Sequence, residues 1–272
     1  MKTINRFFII MATILLLCNT ATIAQEQSRP EFVTVTTMHW NMNNKDFKME
    51  EWKAVEKEFL DKVIMKNEHI MSASFYLHNM TPDNTELLYV QSYKNWDAIG
   101  KATERNIELA NAAWPDEKAR TAFFKKRGAY YSDQHSDEIY ATMPNAKPMA
   151  KMPEKDMVCY VRKGHFAFDE GTDEEFEALD KEYFDNVTFK NEYIKAYYPM
   201  AHAWGSDRTE FVEAFFLDSL ADLEKMFEKD NELFEAHWKD EASRKAMGEK
   251  SSKYFTNTHG DYVYTYVAGL AK

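Results

Sequence analysis

Cysteine is nearly absent. Of 272 residues only Cys18 and Cys159 are cysteines, and Cys18 falls in an N-terminal apolar segment. One remaining thiol cannot form an intrachain disulfide, so stability has to come from packing. Cys159 sits in the strand-like run Val158-Cys159-Tyr160-Val161 and reads as a small buried hydrophobe. Glycine is sparse too. Eight scattered glycines supply neither a dinucleotide-binding turn nor a phosphate-cradling loop. The chain contains no His-Glu-x-x-His, no Gly-x-Ser-x-Gly and no Cys-x-x-Cys. Basic residues are outnumbered, 34 against 45 acidic, for a formal net charge of −11. With no basic stripe against that background, nucleic acid and anionic lipid are poor partners.

The only long apolar run, Phe7 to Leu17, is too short for an ordinary membrane span. Lys2 and Arg6 precede it and Thr22-Ile23-Ala24 follows, so residues 1–24 read as a signal peptide cleaved before Gln25. The expected location is periplasmic or secreted, with no membrane association after cleavage. A lipid anchor on Cys18 is disfavoured because Leu17 stands where a small residue is needed.

What the chain does contain is a duplication. Lys66-Asn67-Glu68-His69-Ile70, leading to His78, recurs as Lys190-Asn191-Glu192-Tyr193-Ile194, leading to His202, 124 residues later. The spacing holds without a gap from Glu51/Glu175 to Tyr140/Tyr264. Each copy has the same order of elements. A β-rich strand (Phe32 to Met38; Met157 onward) precedes a helix with one apolar stripe: Trp52, Val55, Phe59 and Val63, matched by Phe176, Leu179, Tyr183 and Val187. A hairpin follows, then helices, then a last strand, placed at Glu138 to Thr142 and Tyr262 to Val267. Thr172-Asp173-Glu174-Glu175 has the pattern of a capping box, and Ser219 is expected to cap the helix ending at His237. The organisation is therefore repeat 1 over 32–142, a Pro/Lys/Met linker over 143–155 and repeat 2 over 156–268. Met143, Met149 and Met152 in the linker are soft sulfur donors, or simply pack on a neighbouring surface.

This order, β-α-β-β-α-(α)-β, makes an α+β protein of two tandem ferredoxin-like repeats. Each is a four-stranded antiparallel sheet with helices on one face. The bare face of one sheet needs cover, and the second copy is the obvious cover. The layout resembles the dimeric α+β barrel superfamily of antibiotic-biosynthesis-type monooxygenases and the EthD-like, NIPSNAP-like and stress-responsive barrel proteins. The resemblance covers nearly all of 32–267 and rests on element order and duplication. It implies an intramolecular barrel and a menu of activities that includes cofactor-free oxygenation and haem binding or breakdown, without choosing among them.

Duplicates drift, so residues identical in both copies are informative. Polar identities near strand ends gather on one rim: His78, Glu86, His135 and Asp137 in the first copy, His202, Glu210, His259 and Asp261 in the second. His39 and His165 lie close by. His78 and His135 lie on opposite edges of one sheet, so shared ligation requires barrel closure to bring His78 near His259 and His202 near His135. The catalytic candidates are His78, His202, His135 and His259. They admit a metal site, an acid/base or haem-ligand site, or a structural turn role. No metal site is assigned, and the cofactor is left open between none, haem and a metal. A second candidate is the face of strand three, where Tyr89, Gln91, Glu213 and Phe215 are expected to line a ligand pocket between sheet and helices. A carboxylate there, Glu213, is costly unless paired or wet. The leading expectation is an exported protein, monomer or homodimer, that binds a small, largely apolar ligand. The alternatives are a monooxygenase or haem-handling enzyme and a structural or interaction module.

Overall fold

The computed structural model describes residues 29–167 and 171–272. The expected signal peptide and Cys18 lie outside the described residues. The first copy comprises β1 (Phe32–Trp40), α1 (Met49–Lys62), β2 (Ser72–Met80), β3 (Glu86–Tyr93), α2 (Trp96–Ala113), α3 (Glu117–Gly128) and β4 (Tyr131–Thr142). The second comprises β5 (Met157–Phe166), α4 (Asp173–Tyr183), β6 (Ala196–Trp204), β7 (Glu210–Leu217), α5 (Ala221–His237), α6 (Glu241–Ser251) and β8 (Phe255–Tyr266). The eight strands close into one antiparallel barrel in the order β1-β3-β2-β8-β5-β7-β6-β4. Within each copy the sheet runs 4-1-3-2, as the split arrangement requires. Its two open edges, the second and fourth strands, are paired by the other copy: β2 with β8 and β4 with β6. Closure removes the edges that a lone four-stranded sheet exposes.

Strand alternation sorts the side chains into a lumen and two outer layers. Val33, Tyr140, Cys159, Val161, Met200, Val212, Ala214, Phe216, Tyr264 and Tyr266 form the lumen core. On the helix side, all four members of the first stripe, Trp52, Val55, Phe59 and Val63, are buried. Of the second stripe, Leu179 and Val187 are buried, while Tyr183 is partly exposed.

The repeated Lys-Asn-Glu segment works as a brace. Asn67, fully buried, donates from Nδ2 to Ala102 O and Asn106 Oδ1, both at 2.8 Å, and accepts the His69 amide. Asn191, also fully buried, does the same with Met226 O, Asp230 Oδ1 and the Tyr193 amide. Each asparagine ties the approach to the second strand onto the long helix of its own copy.

Several local expectations need correcting. The last strands begin earlier than their polar residues suggest, at Tyr131 and Phe255. The long Thr-rich β1 pairs with β4 down to Trp40↔Tyr131 and supplies the ladder that local propensity does not. Thr172 caps α4 by accepting the Glu175 amide at 3.1 Å, but the Glu175 carboxylate turns away to the Tyr254 hydroxyl, so the box is half formed. Ser219 donates to Asp222 and does not cap with its side chain. The segment 143–155 lies along the barrel. Met149 packs on the lumen core, and Met152 accepts a hydrogen bond from Tyr266. No described helix is long and apolar enough to cross a membrane.

Candidate ligand site in the barrel lumen

A cavity of about 190 Å³ lies inside the barrel. Its walls are apolar: Val35, Leu88, Val90, Cys159, Val161, Met200, Val212 and Ala214. Toward the rim they give way to Thr37, Glu86, Tyr140, Lys163, Tyr262 and Tyr264. Burial raises the pKa of the Cys159 thiol, which therefore stays protonated and apolar.

The polar rim has the pseudo-two-fold logic of the duplication. Tyr264, from the last strand of the second copy, donates to Glu86 of the first at 2.6 Å. Tyr140, from the last strand of the first copy, donates to Glu210 of the second. Burial and these carboxylates push both phenols far above their ordinary pKa, so both are donors at neutral pH. The symmetry ends there. Tyr140 also bonds Glu138 at 2.6 Å, whereas Tyr262 stands at the matching place in the second copy. Lys163 reaches Glu210 at 3.2 Å and Glu138 at 3.9 Å. Its structural counterpart in β1 is Thr37: Thr37 pairs with Leu88 and Ser136, and Lys163 with Val212 and Gly260. Gly260 has a steric reason to be glycine, because a Cβ there would come within 2.9 Å of the Tyr262 ring.

Strand register divides the rim residues singled out from the sequence. His78 and His202 fall on the lumen side, at the seams, paired across strands with Tyr264 and Tyr140. The closure that would have joined His78 to His259 and His202 to His135 is therefore not the one formed. His78 Nδ1 is 2.7 Å from Thr81 Oγ1. His39 and His165 face the same way and hold the hairpin turns, each within 3.2 Å of an Asp and a Thr (Asp83 and Thr85; Asp207 and Thr209). His135, Asp137, His259 and Asp261 lie one residue out of phase and project from the outer face. There His135 sits 3.6 Å from Asp137, and His259 3.3 Å from Asp261. His259 and Asp261 border an open outer groove of about 470 Å³ beside α5, with Tyr160 donating to Asp261 at 2.5 Å.

Tyr89, Gln91, Glu213 and Phe215 also lie on the helix side and do not line the lumen cavity. Tyr89 and Phe215 are core aromatics, stacked on or tilted against Phe75 and Tyr160 respectively. Glu213 accepts from Tyr197 at 2.8 Å and lies 3.9 Å from Arg162. Burial raises its pKa, which Arg162 and Tyr197 partly offset. Gln91 accepts from Tyr93, but its buried Nε2 has no partner among the described residues. Tyr140, Tyr262, Tyr264, Lys163 and Glu138 are lumen residues that sequence reasoning did not single out. Tyr140 and Tyr264 carry the repeat spacing, which is the signal in the sequence that marks them.

No protein-family model matches the chain, and no curated protein does. Solved structures do. The chain superposes on a protein of Fusobacterium nucleatum provisionally named a monooxygenase, with a TM-score of 0.55 at 9% identity over 88% of this chain and 94% of that one. An anthrone oxidase-like protein matches at 0.50 and 11% identity over 90% and 94%. A chlorite dismutase variant from Candidatus Nitrospira defluvii matches at 0.51 and 13% over 86% and 90%. At these identities the likeness establishes the fold alone: an α+β barrel, here with both ferredoxin-like units on one polypeptide.

Proposed function

We propose that this is an exported small-molecule-binding protein whose ligand sits in the barrel lumen, apolar body against the aliphatic walls and polar end at the Glu/Tyr/Lys rim. The observation that carries it is the cavity: apolar walls meeting a few convergent polar groups is the usual make-up of a ligand site. At about 190 Å³ it suits a compact ligand; an engineered cavity of about 150 Å³ takes benzene. A haem does not fit this lumen. The lumen is smaller than the roughly 300 Å³ at which drug-sized pockets begin. The lumen-side His39, His78 and His165 each hold a turn residue through Nδ1. Among the described residues, no group of three His, Cys, Asp or Glu side chains is placed to hold a metal.

A second reading places an enzyme in the same lumen, working without a bound cofactor. The fold likeness to oxygenase-named proteins supports it, as does a lumen carboxylate, Glu86, that can take a proton from a bound molecule. Native against denaturing mass spectrometry of the protein purified from a periplasm tests the shared premise. The expected result is extra native mass that is lost on denaturation and absent from a lumen-filling Ala214→Phe variant. Extra mass retained by the folded filled variant would refute a lumen ligand. Incubation of the released molecule with fresh protein separates the two readings: an unchanged molecule is a ligand, an altered one a substrate.

A further inference from the structure

The rim is a pseudo-symmetric device with one part missing. On one side Glu210 has both a tyrosine and a lysine, Tyr140 and Lys163. On the other, among the described residues, the Glu86 carboxylate has a single polar partner, the Tyr264 hydroxyl. Thr37 occupies the place that Lys163 fills in the second copy, and both Thr37 and Glu86 line the cavity. Glu210, covered by its lysine, does not line it. The nearest basic group by strand pairing is His39, opposite Glu86, and its Nδ1 is taken by Asp83 and Thr85. Glu86 is therefore a half-buried carboxylate beside an apolar chamber, carrying a neutral hydrogen bond where its duplicate carries a cation.

We infer that the lumen ligand is a compact primary amine whose ammonium stands beside Glu86, where Lys163 stands beside Glu210, with its hydrocarbon body against Val35, Leu88 and Val90. A carboxylate that accepts only one hydrogen bond keeps capacity for two or three more, and an ammonium offers three donors in a compact volume. The partly dry wall strengthens the pairing relative to water. Lys163 at the other side of the rim is held by Glu210 and Glu138, which disfavours an anionic ligand there.

This rests on lumen binding, and the test separates the two. Isothermal titration would compare benzylamine, isosteric benzyl alcohol and benzoate on the wild-type protein and on the Glu86→Gln, Thr37→Lys and Asp137→Asn variants, with thermal melts confirming that each is folded. Benzylamine is expected to bind at least tenfold more tightly than benzyl alcohol, and benzoate least tightly. Glu86→Gln should erase the amine preference while benzyl alcohol binding persists. Thr37→Lys, which supplies the missing cation from the chain itself, should do the same. Asp137→Asn, which removes a carboxylate from the outer face of the barrel, should leave the preference within about twofold. Equal binding of amine and alcohol, tightest binding of benzoate, or an amine preference that survives Glu86→Gln would overturn the amine assignment and leave lumen binding standing. No binding of any of the three probes would overturn both.

Discussion

The duplicated asparagines allow one prediction with a built-in replicate. Asn67 is fully buried and satisfies three groups: the Ala102 carbonyl, Asn106 Oδ1 and the His69 amide. In Asn67→Ala the Asn106 side chain and the His69 amide lose a partner, while the Ala102 carbonyl, inside α2, keeps its helical hydrogen bond. Asn106 and His69 are half-buried and recover some hydration. A buried group left unpaired costs about 1–3 kcal/mol. Two half-buried groups left short of a partner, with a small cavity added, give a loss of about 2–4 kcal/mol. Asn191→Ala should cost a similar amount, because its partners are the same in kind. The assay is urea denaturation followed by tryptophan fluorescence and far-ultraviolet circular dichroism, with the m-value checked for two-state behaviour. A loss below about 1 kcal/mol in both variants would refute the view that the repeated segment is a hydrogen-bonded brace.

Three further outcomes follow from particular contacts. Glu56 is almost fully buried, with both oxygens bonded by Arg127 Nε at 2.8 and 3.0 Å and one by the Tyr131 hydroxyl at 2.7 Å; Arg127→Met should cost about 3–5 kcal/mol by stranding the carboxylate, and the double variant with Glu56→Gln should recover much of that in the same denaturation assay. Gln91→Leu combined with Tyr93→Phe removes an unpaired buried donor together with the hydroxyl that Gln91 accepts from, and should raise stability by about 1 kcal/mol, read as an increased denaturation midpoint. Burial raises Asp230 from 3.8 to about 6, so the native state holds that proton more tightly and stability falls as pH rises from about 4 through about 6. Asp230→Asn, the residue that the first copy carries at Asn106, should gain about 2–3 kcal/mol over wild type between pH 4 and pH 7; parallel stability–pH curves would contradict this.

Much of the fold was legible because duplication is visible without any structure. The constant spacing from Glu51/Glu175 to Tyr140/Tyr264 announced two equal units, and the apolar stripe through Trp52, Val55, Phe59 and Val63 announced a helix packed on a sheet. The bare sheet face demanded a cover, and the other copy provides it. The chemistry was less legible. His78 and His135 look alike as polar residues near strand ends, yet one faces the lumen and the other the outside. The difference is one residue of strand phase, fixed by where β4 starts, and local propensity placed that start seven residues too late.

Composition, charge and internal repetition were thus determined by the sequence itself, since a helix stripe or a repeat spacing is a property of neighbours along the chain. The ring of Glu86, Tyr264, Glu210, Tyr140 and Lys163 was decided only by tertiary structure. Its members come from five strands in two copies, and they meet because barrel closure pairs β2 with β8 and β4 with β6 in one register. A shift of that register by one residue would turn the same side chains to the opposite face of the sheet.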